Sequence, residues 1–460
     1  MPSNNDSNLV YYNQNDTTVH VALQERHEAV RLPEYIPSKF KGTANRKKLQ
    51  NSLAPFKQVT PYTIDEYIAT MPTSKRKRYE QAKHHRPSKT VKSFIKMEKT
   101  NIDKAPRLIH GRSPRYNLDL GKYIKKLEHM ILSRDKHRKH FRIGKGYDQY
   151  GQAQVFLKHN RRRGYVHIEL DHTAFDAHIT KDMLKLEHNI YKSCFANDPN
   201  LKGLLNAQLT NRCRTRNGYQ YTLQGTRCSG DVNTAIGNSL INYYILMSMC
   251  AEIGIKRPLI TVNGDDSILS IPSQYTSKIK SMPAILRTYN METKIGNVTR
   301  NIKLIEFCQQ TLHTDDNGMA ITITNPKRIE ERYGMTYKVR EIDWHSYQRD
   351  IAYANWMIYR HVKEYSTTFK RLYEYHNPKA NKPLLKTLQH AEPELIANMS
   401  ATLKAKYKVT GIGTGAYCRH LFINNEPKKQ AEMTYKNYYK PATTRSAPTQ
   451  DADQLHSHNK

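Results

Sequence analysis

Several things are scarce in this chain. Its six cysteines, at 194, 213, 228, 250, 308 and 418, form no CxxC or CxxxH spacing. Neither a zinc finger nor a disulfide framework is indicated, and a reducing compartment is the expected setting. Long hydrophobic runs are missing too. The most apolar stretch, 241–255, contains Asn242 and Glu252 and is too short to span a bilayer. The N-terminus, MPSNNDSNLVYY, lacks an apolar signal core. Membrane association is therefore expected to be peripheral or to come through a partner. There are no internal repeats. Gly411-Ile412-Gly413-Thr414-Gly415 lacks the Gly-Lys-Ser/Thr ending of a phosphate loop and reads as a turn. Acidic residues are also few: 41 Asp and Glu stand against 74 Lys and Arg, a formal charge of +33. Such an excess implies a polyanionic partner, most simply nucleic acid, bound in a salt-dependent way. Charge alone would equally suit an anionic membrane or a packaging role. A chain of 460 residues is long enough for two or three subdomains around a shared core.

The chain is organised around residues 259–271, LITVNGDDSILSI. Two β-rich apolar runs flank Asn263-Gly264-Asp265-Asp266, and Asn-Gly between such runs signals a hairpin turn. Adjacent carboxylates at its tip repel each other, and a divalent cation would remove that penalty. Taken alone, the pair reads better as a solvated acidic hairpin. A second acid stands at a strand end. Val166, Ile168 and Leu170 alternate up to Asp171, and Asp176 follows in DHTAFDAHIT. A helix is expected from about Thr180, with Met183, Leu186, Ile190 and Cys194 facing the core and Asp182 in its first turn. The histidines at 159, 167, 172, 178 and 188 match no metal spacing.

Other segments add to this pair. Residues 1 to about 55 read as a loosely packed extension, and Ser74–Arg78 as a solvated helix face. Residues 92–123 interleave Lys96, Lys99, Lys104, Arg107, Arg112 and Arg115 with Pro106 and Pro114. Prolines there favour extended segments, whose cations would line a triphosphate channel or an ordinary basic surface. Tyr219–Thr222 looks like a short strand. A loop containing Gly225, Ser229 and Gly230 then leads into a long helical pattern ending near Gly254. Ser229, Thr234 and Asn238 offer hydroxyl and amide partners for a sugar, while Ser229 or Asp231 would also serve as a helix cap. Lys303–Gln309 alternates like a strand, Asp316-Asn317-Gly318 marks a second hairpin, and 330–375 suits aromatic-rich helices. Combined, Asp171 and Asp265 would hold two divalent ions about 4 Å apart for phosphoryl transfer, with magnesium suited to such oxygen ligands.

The ordered set Asp171-x4-Asp176, Ser229-Gly-x3-Thr234-x3-Asn238 and Gly264-Asp265-Asp266 resembles the RNA-dependent RNA polymerases of positive-strand RNA viruses. Ala105-Pro-Arg-Leu-Ile, Pro114-Arg-Tyr-Asn117 and Glu306-Phe-Cys-Gln309 narrow the resemblance to the tombusvirus–carmovirus group. The resemblance implies an α+β right hand. Its parts would be an N-terminal extension at 1–60, fingers at 61–165 with nucleotide-access strands at 92–123, and palm at 166–194. A fingers insert at 195–225, palm at 226–325, a mostly helical thumb at 326–425 and a disordered basic tail at 426–460 would follow. By the same resemblance Asp171 and Asp265 would be the main ligands of two Mg2+ (or Mn2+) ions, with Asp266 assisting. Asp176 and Asn238 would read the ribose 2′-hydroxyl, with Ser229 and Thr234 shaping that pocket. Lys96, Lys99, Lys104 and Arg107 would grip the triphosphate. Lys294 would protonate leaving pyrophosphate, and Phe307, Cys308 and Gln309 would brace the primer or nascent strand. The implied partners are RNA template, nascent RNA, ribonucleoside triphosphates and a viral membrane-anchored replication protein. The implied location is the host cytoplasm, at membrane-associated replication complexes. A reverse transcriptase and a non-enzymatic basic RNA-binding protein are the competing readings. The Asp176–Asn238 pair argues against the first, and the placed carboxylates against the second.

Overall fold

The structure is a computed structural model. It describes residues 9–41, 47, 49, 56, 58–98, 100–135, 141–324, 328–329, 333 and 343–384. The expected tail at 426–460 and much of the region expected as a thumb lie outside these residues.

Among the described residues, thirteen strands and a larger helical complement form a mixed α+β fold. The central sheet has β5 (Phe141–Ile143), β6 (Tyr165–His172), β9 (Leu259–Asn263), β10 (Asp266–Pro272) and β11 (Thr293–Thr299), in the order β11-β6-β10-β9-β5. All its pairings are antiparallel except β5 with β9. A second sheet has β2 (Val91–Ile95), β4 (Leu108–Gly111), β7 (Thr210–Thr215) and β8 (Gln220–Gln224), in the order β4-β2-β7-β8. Two small pairs complete the set: β1 (Leu9–Val10) with β3 (Thr100–Asn101), and β12 (Gln310–Thr314) with β13 (Ala320–Thr324).

The helix Thr234–Glu252 is the centre of the core. Every side chain from Ile236 to Cys250 is buried, which is how a helix apolar on all sides must sit. It ends just before Gly254 (φ +69°), as the sequence pattern indicates. The helix Lys181–Cys194 packs alongside it. Its N-cap, Thr180, accepts from Met183 N, and its buried residues include Met183, Leu186, Ile190 and Cys194. The helices Trp344–Tyr359 and Lys363–His376 pack on each other, with Phe369 stacked on Tyr359 at 5.7 Å. No helix among the described residues is long and apolar enough to cross a membrane.

Three segments differ from the sequence reading. The described N-terminal residues are not loosely packed: Phe40 is 2% exposed and wedges between Tyr244 and Tyr289. Its large ring carries enough apolar surface to join the core despite basic neighbours. The segment 92–123 is extended only up to Gly111. Pro114 opens a 22-residue helix to Asp135, because a proline at a helix start loses no hydrogen bond. Arg112 does not line a channel either. Its guanidinium is buried on Asp231, Nε to Oδ1 at 2.7 Å, and Arg115 pairs with Asp119. Asp231 is thereby committed to an ion pair, and the N-cap position falls to Asn233. Finally, 303–309 is not a strand. After the 3-10 turn Ile302–Leu304 the chain reverses at Cys308–Gln309, both at positive φ (53° and 62°). Phe307 and Gln310 exchange both backbone hydrogen bonds across that reversal, at 2.9 and 3.1 Å. Left-handed backbone at two non-glycine residues costs free energy, so tertiary contacts must hold it.

Candidate active site

The acidic turn is a two-residue hairpin. Asn263 and Asp266 are paired across it, so Gly264 and Asp265 form its tip rather than Asn263 and Gly264. Gly264 alone of these takes positive φ (+68°), which suits a turn with glycine at its first central position. The helix Thr234–Glu252 pins this turn from beneath. Gly264 N donates to Ser239 Oγ (2.8 Å), and Asn242 Nδ2 donates to the carbonyls of Gly264 (3.1 Å) and Asp265 (2.8 Å). Asn242 Oδ1 meets His172 Nε2 at 3.2 Å, and His172 Nδ1 meets Thr293 Oγ1 at 2.7 Å. One buried network thus joins the turn, the end of β6 and β11.

Asp171 lies at the exposed end of β6, next to this network. Its neighbour on one side is Lys294 of β11, directly opposite in register. On the other side β10 runs antiparallel, with Ile268 opposite Glu169, which brings Asp266 towards the level of Asp171. Asp171, Asp266, Lys294, Glu306, Cys308 and Gln309 all line one open cleft of about 870 Å³. The carboxylates lie near enough to act on one another, although Asp266 itself is exposed at the end of β10. Asp266 is pushed up to about 6, by loss of water first and then by the negative charges of Asp265 and Asp171. Burial drives His172 down to about 4, against the opposing pull of both Asp265 and Asp171.

Among the described residues, no three His, Cys, Asp or Glu side chains are gathered into a ready-made metal cage. The donor chemistry still fits a hard divalent cation. Asp171, Asp266 and Glu306 share one cleft, Asp265 stands beside it at the tip of the turn, and all present only oxygen. Magnesium is usually held by one or two carboxylates plus waters and substrate phosphates, not by a closed protein cage. The histidines instead make buried hydrogen bonds: His159 and His167 both reach Ser270 Oγ, at 2.6 and 2.7 Å.

The pair expected to read a sugar is formed. Asn238 Nδ2 donates to Asp176 Oδ1 at 2.8 Å. Burial pushes Asp176 up to about 6, opposed by this bond and by the charge of Arg227. Thr234 Oγ1 donates to the carbonyls of Cys228 (3.0 Å) and Asp231 (2.8 Å), and Ser229 Oγ accepts from His110 N (3.3 Å). Both hydroxyls therefore shape the loop that leads into the helix.

The basic segment is held by the N-terminal residues. Tyr12 Oη donates to the carbonyls of Ile102 and Lys104, and Arg26 donates to Ala105 O at 3.0 Å. Lys96 and the half-exposed Arg107 share Glu98, at 2.6 and 3.5 Å, and Lys104 is exposed. Lys99 lies outside the described residues. Phe307 does not offer its ring to the cleft. It is 1% exposed and packs against Phe156 and over Gly144, because a flat apolar ring gains more in the core than at a wet rim. Cys308 and Gln309 do line the cleft, and Asn263 Nδ2 reaches Cys308 Sγ at 3.2 Å.

Reading the sequence missed Ser239, Asn242, Glu187 and Arg227. A usable signal existed for the first two: three small polar residues at 238, 239 and 242 interrupt an otherwise apolar helix on nearly one face.

A cleft lined by carboxylates and basic side chains, with an amide–carboxylate pair on the helix that holds the acidic turn, fits the class of proteins that handle nucleotides with divalent metal. A family model described as viral RNA dependent RNA polymerase matches residues 3–408, so the chain belongs to that family. The RNA-directed RNA polymerase of Pothos latent virus (isolate Pigeonpea/India) is 32% identical over 264 residues, covering 54% of this chain and 36% of that protein. That of Turnip crinkle virus is 33% identical over 265 residues, covering 55% and 33%. That of Carnation mottle virus is 39% identical over 188 residues, covering 39% and 24%. The matches thus take up no more than about a third of these relatives' length.

Proposed function

We propose that the chain carries out template-directed RNA synthesis as an RNA-directed RNA polymerase, copying a positive-strand RNA genome from ribonucleoside triphosphates. The observation that supports this most is the joining of two polar networks on one helix. Ser239 and Asn242 hold the Asp265 turn, while Asn238, at the same end of that helix, holds Asp176.

In this reading the palm is formed by 166–194 and 226–325, and the central sheet also takes in β5 (Phe141–Ile143) from the preceding fingers segment. The basic sheet and its insert are fingers (61–165 and 195–225), and the helices after 326 begin the thumb. Asp171 and Asp265 would be the principal ligands of two Mg2+ or Mn2+ ions, with Asp266 assisting. When bound, such ions lower the barrier to phosphoryl transfer by activating the attacking hydroxyl and neutralising charge on the leaving oxygen. The protein's own groups do the rest. Arg107, Lys96, Lys99 and Lys104 bind the triphosphate, with Glu98 giving up its two cations as phosphate arrives. Asp176 accepts from, and Asn238 donates to, the ribose 2′-hydroxyl. Lys294, level with Asp171, gives a proton to pyrophosphate. Cys308 and Gln309 border the nascent strand. The excess positive charge holds template RNA whatever its sequence, as copying requires. A membrane-anchored viral partner would bring the chain to replication complexes in the host cytoplasm.

The test is RNA synthesis by purified protein on a defined template, with magnesium or manganese, comparing ribo- with deoxyribonucleotides. Metal-dependent incorporation of ribonucleotides is expected. A clear preference for deoxyribonucleotides would transfer the assignment to a reverse transcriptase, and tight RNA binding without synthesis would leave a binding protein.

A further inference from the structure

A fully buried ion pair lies behind the sugar-reading amide, and the chemistry above makes no use of it. Arg227 and Glu187 both have side chains 0% exposed and pair directly. Taking two charges out of water is expensive, and such a pair is a poor source of stability. Its connections give it another role. Arg227 Nε donates to Asn238 Oδ1 at 2.9 Å, and Asn238 Nδ2 donates to Asp176 Oδ1 at 2.8 Å. A guanidinium only donates and a carboxylate only accepts. The Asn238 amide can therefore point just one way, oxygen to Arg227 and nitrogen to Asp176. A flipped amide would set N–H against N–H and oxygen against carboxylate.

The arginine is itself fixed on several sides. Glu187 Oε1 accepts from Asn233 Nδ2 (2.7 Å), and Asn233 Oδ1 accepts from Gln208 Nε2 (2.8 Å). Arg227 N donates to Asp176 O at 2.9 Å. The helix leaves space for the pair at Gly237, where a Cβ would run into Glu187 Oε1 and Arg227 Nη2. With the amide locked, the second N–H of Asn238 and the other oxygen of Asp176 remain as one donor and one acceptor.

We infer that Arg227, anchored by Glu187, is a positioning residue for sugar selection: it orients the Asn238 amide so that Asn238 and Asp176 together address the ribose 2′-hydroxyl. The inference rests on the polymerase reading. It deepens that reading by assigning a selectivity role to two residues that touch no substrate.

The experiment measures kcat/KM for single-nucleotide incorporation of UTP and of 2′-deoxy-UTP by the full chain. The variants are N238A, R227K and the double variants R227K/N238A and R227M/E187M. Lysine at 227 still pairs with Glu187 but lacks the planar fork that reaches Asn238 as well. R227M/E187M removes both charges together and strands neither. R227K and R227M/E187M are each expected to lower ribonucleotide selectivity about tenfold or more, the loss falling on UTP, as befits a charge-assisted hydrogen bond. R227K/N238A should lose no more selectivity than N238A alone. Equal loss on both nucleotides marks a merely structural role and overturns the inference. So does wild-type selectivity in R227K and R227M/E187M when N238A has lost it. If N238A itself keeps full selectivity, the ribose-reading assignment fails instead.

Discussion

Asn242→Ala is expected to damage chemistry far more than folding. The side chain is 0% exposed, and its loss leaves three partners: the carbonyls of Gly264 and Asp265, and His172 Nε2. An orphaned buried group costs roughly 1–3 kcal/mol. Gly264 is half-buried and Asp265 exposed, so water from the cleft can reach their carbonyls. His172 is 5% exposed and has no such relief. The stability loss should therefore be about 2–3 kcal/mol, one stranded group plus a small cavity. The catalytic loss follows from position. Asn242 provides two of the three hydrogen bonds from the helix that fix the turn carrying Asp265. Letting a reacting centre drift by about 1 Å costs on the order of a hundredfold in rate. The assay pairs a urea or thermal melt with single-nucleotide incorporation at saturating nucleotide and with RNA binding. Incorporation should fall about a hundredfold, while binding, set by the basic surface, should stay within about twofold. Wild-type incorporation in a variant that has lost the expected stability would show that the helix does not position the turn.

Acid should loosen the fold through buried histidines. His110 is pushed down to about 4 by burial and by the charge of Arg112; His188, beside Glu187 and Arg227, goes down to about 4, burial again being the main cause. Between the unfolded value near 6.5 and the folded value, the unfolded chain binds more protons, so stability is intact above about pH 6.5 and falls below it. At pH 5 each would cost about 2 kcal/mol; urea midpoints at pH 7 and pH 5 test this, and equal midpoints would contradict it. Arg107→Gln should raise the KM for every nucleotide about tenfold by removing one charge-assisted phosphate contact, with RNA affinity almost unchanged. Steady-state kinetics for two different nucleotides check it, and an effect on one base alone would refute it.

Where local pattern and burial agree, the sequence was readable. Val166, Ile168 and Leu170 mark β6 and place Asp171 at its end, and all three are buried as the alternation requires. The second hairpin at 316–318 and the helix opening at Thr180 were readable for the same reason. Long-range polar contacts were not. Glu187 and Arg227 are 40 residues apart, and neither carries a local sign that it will meet the other inside the core. Lys303–Gln309 alternates like a strand, yet Phe307 is drawn into the core beside Phe156 and the chain must reverse to follow it. Tertiary packing overrides the period there. Arg112 looked like its exposed basic neighbours, and only a buried partner, Asp231, sets it apart.

Asp265→Ala tests the central claim most directly. The variant should bind template RNA as the parent does, since it leaves every cation in place, and should lose magnesium- or manganese-dependent nucleotide incorporation altogether. Incorporation persisting near the parental rate would contradict the account, because the carboxylate at the tip of the pinned turn would then have no part in the reaction.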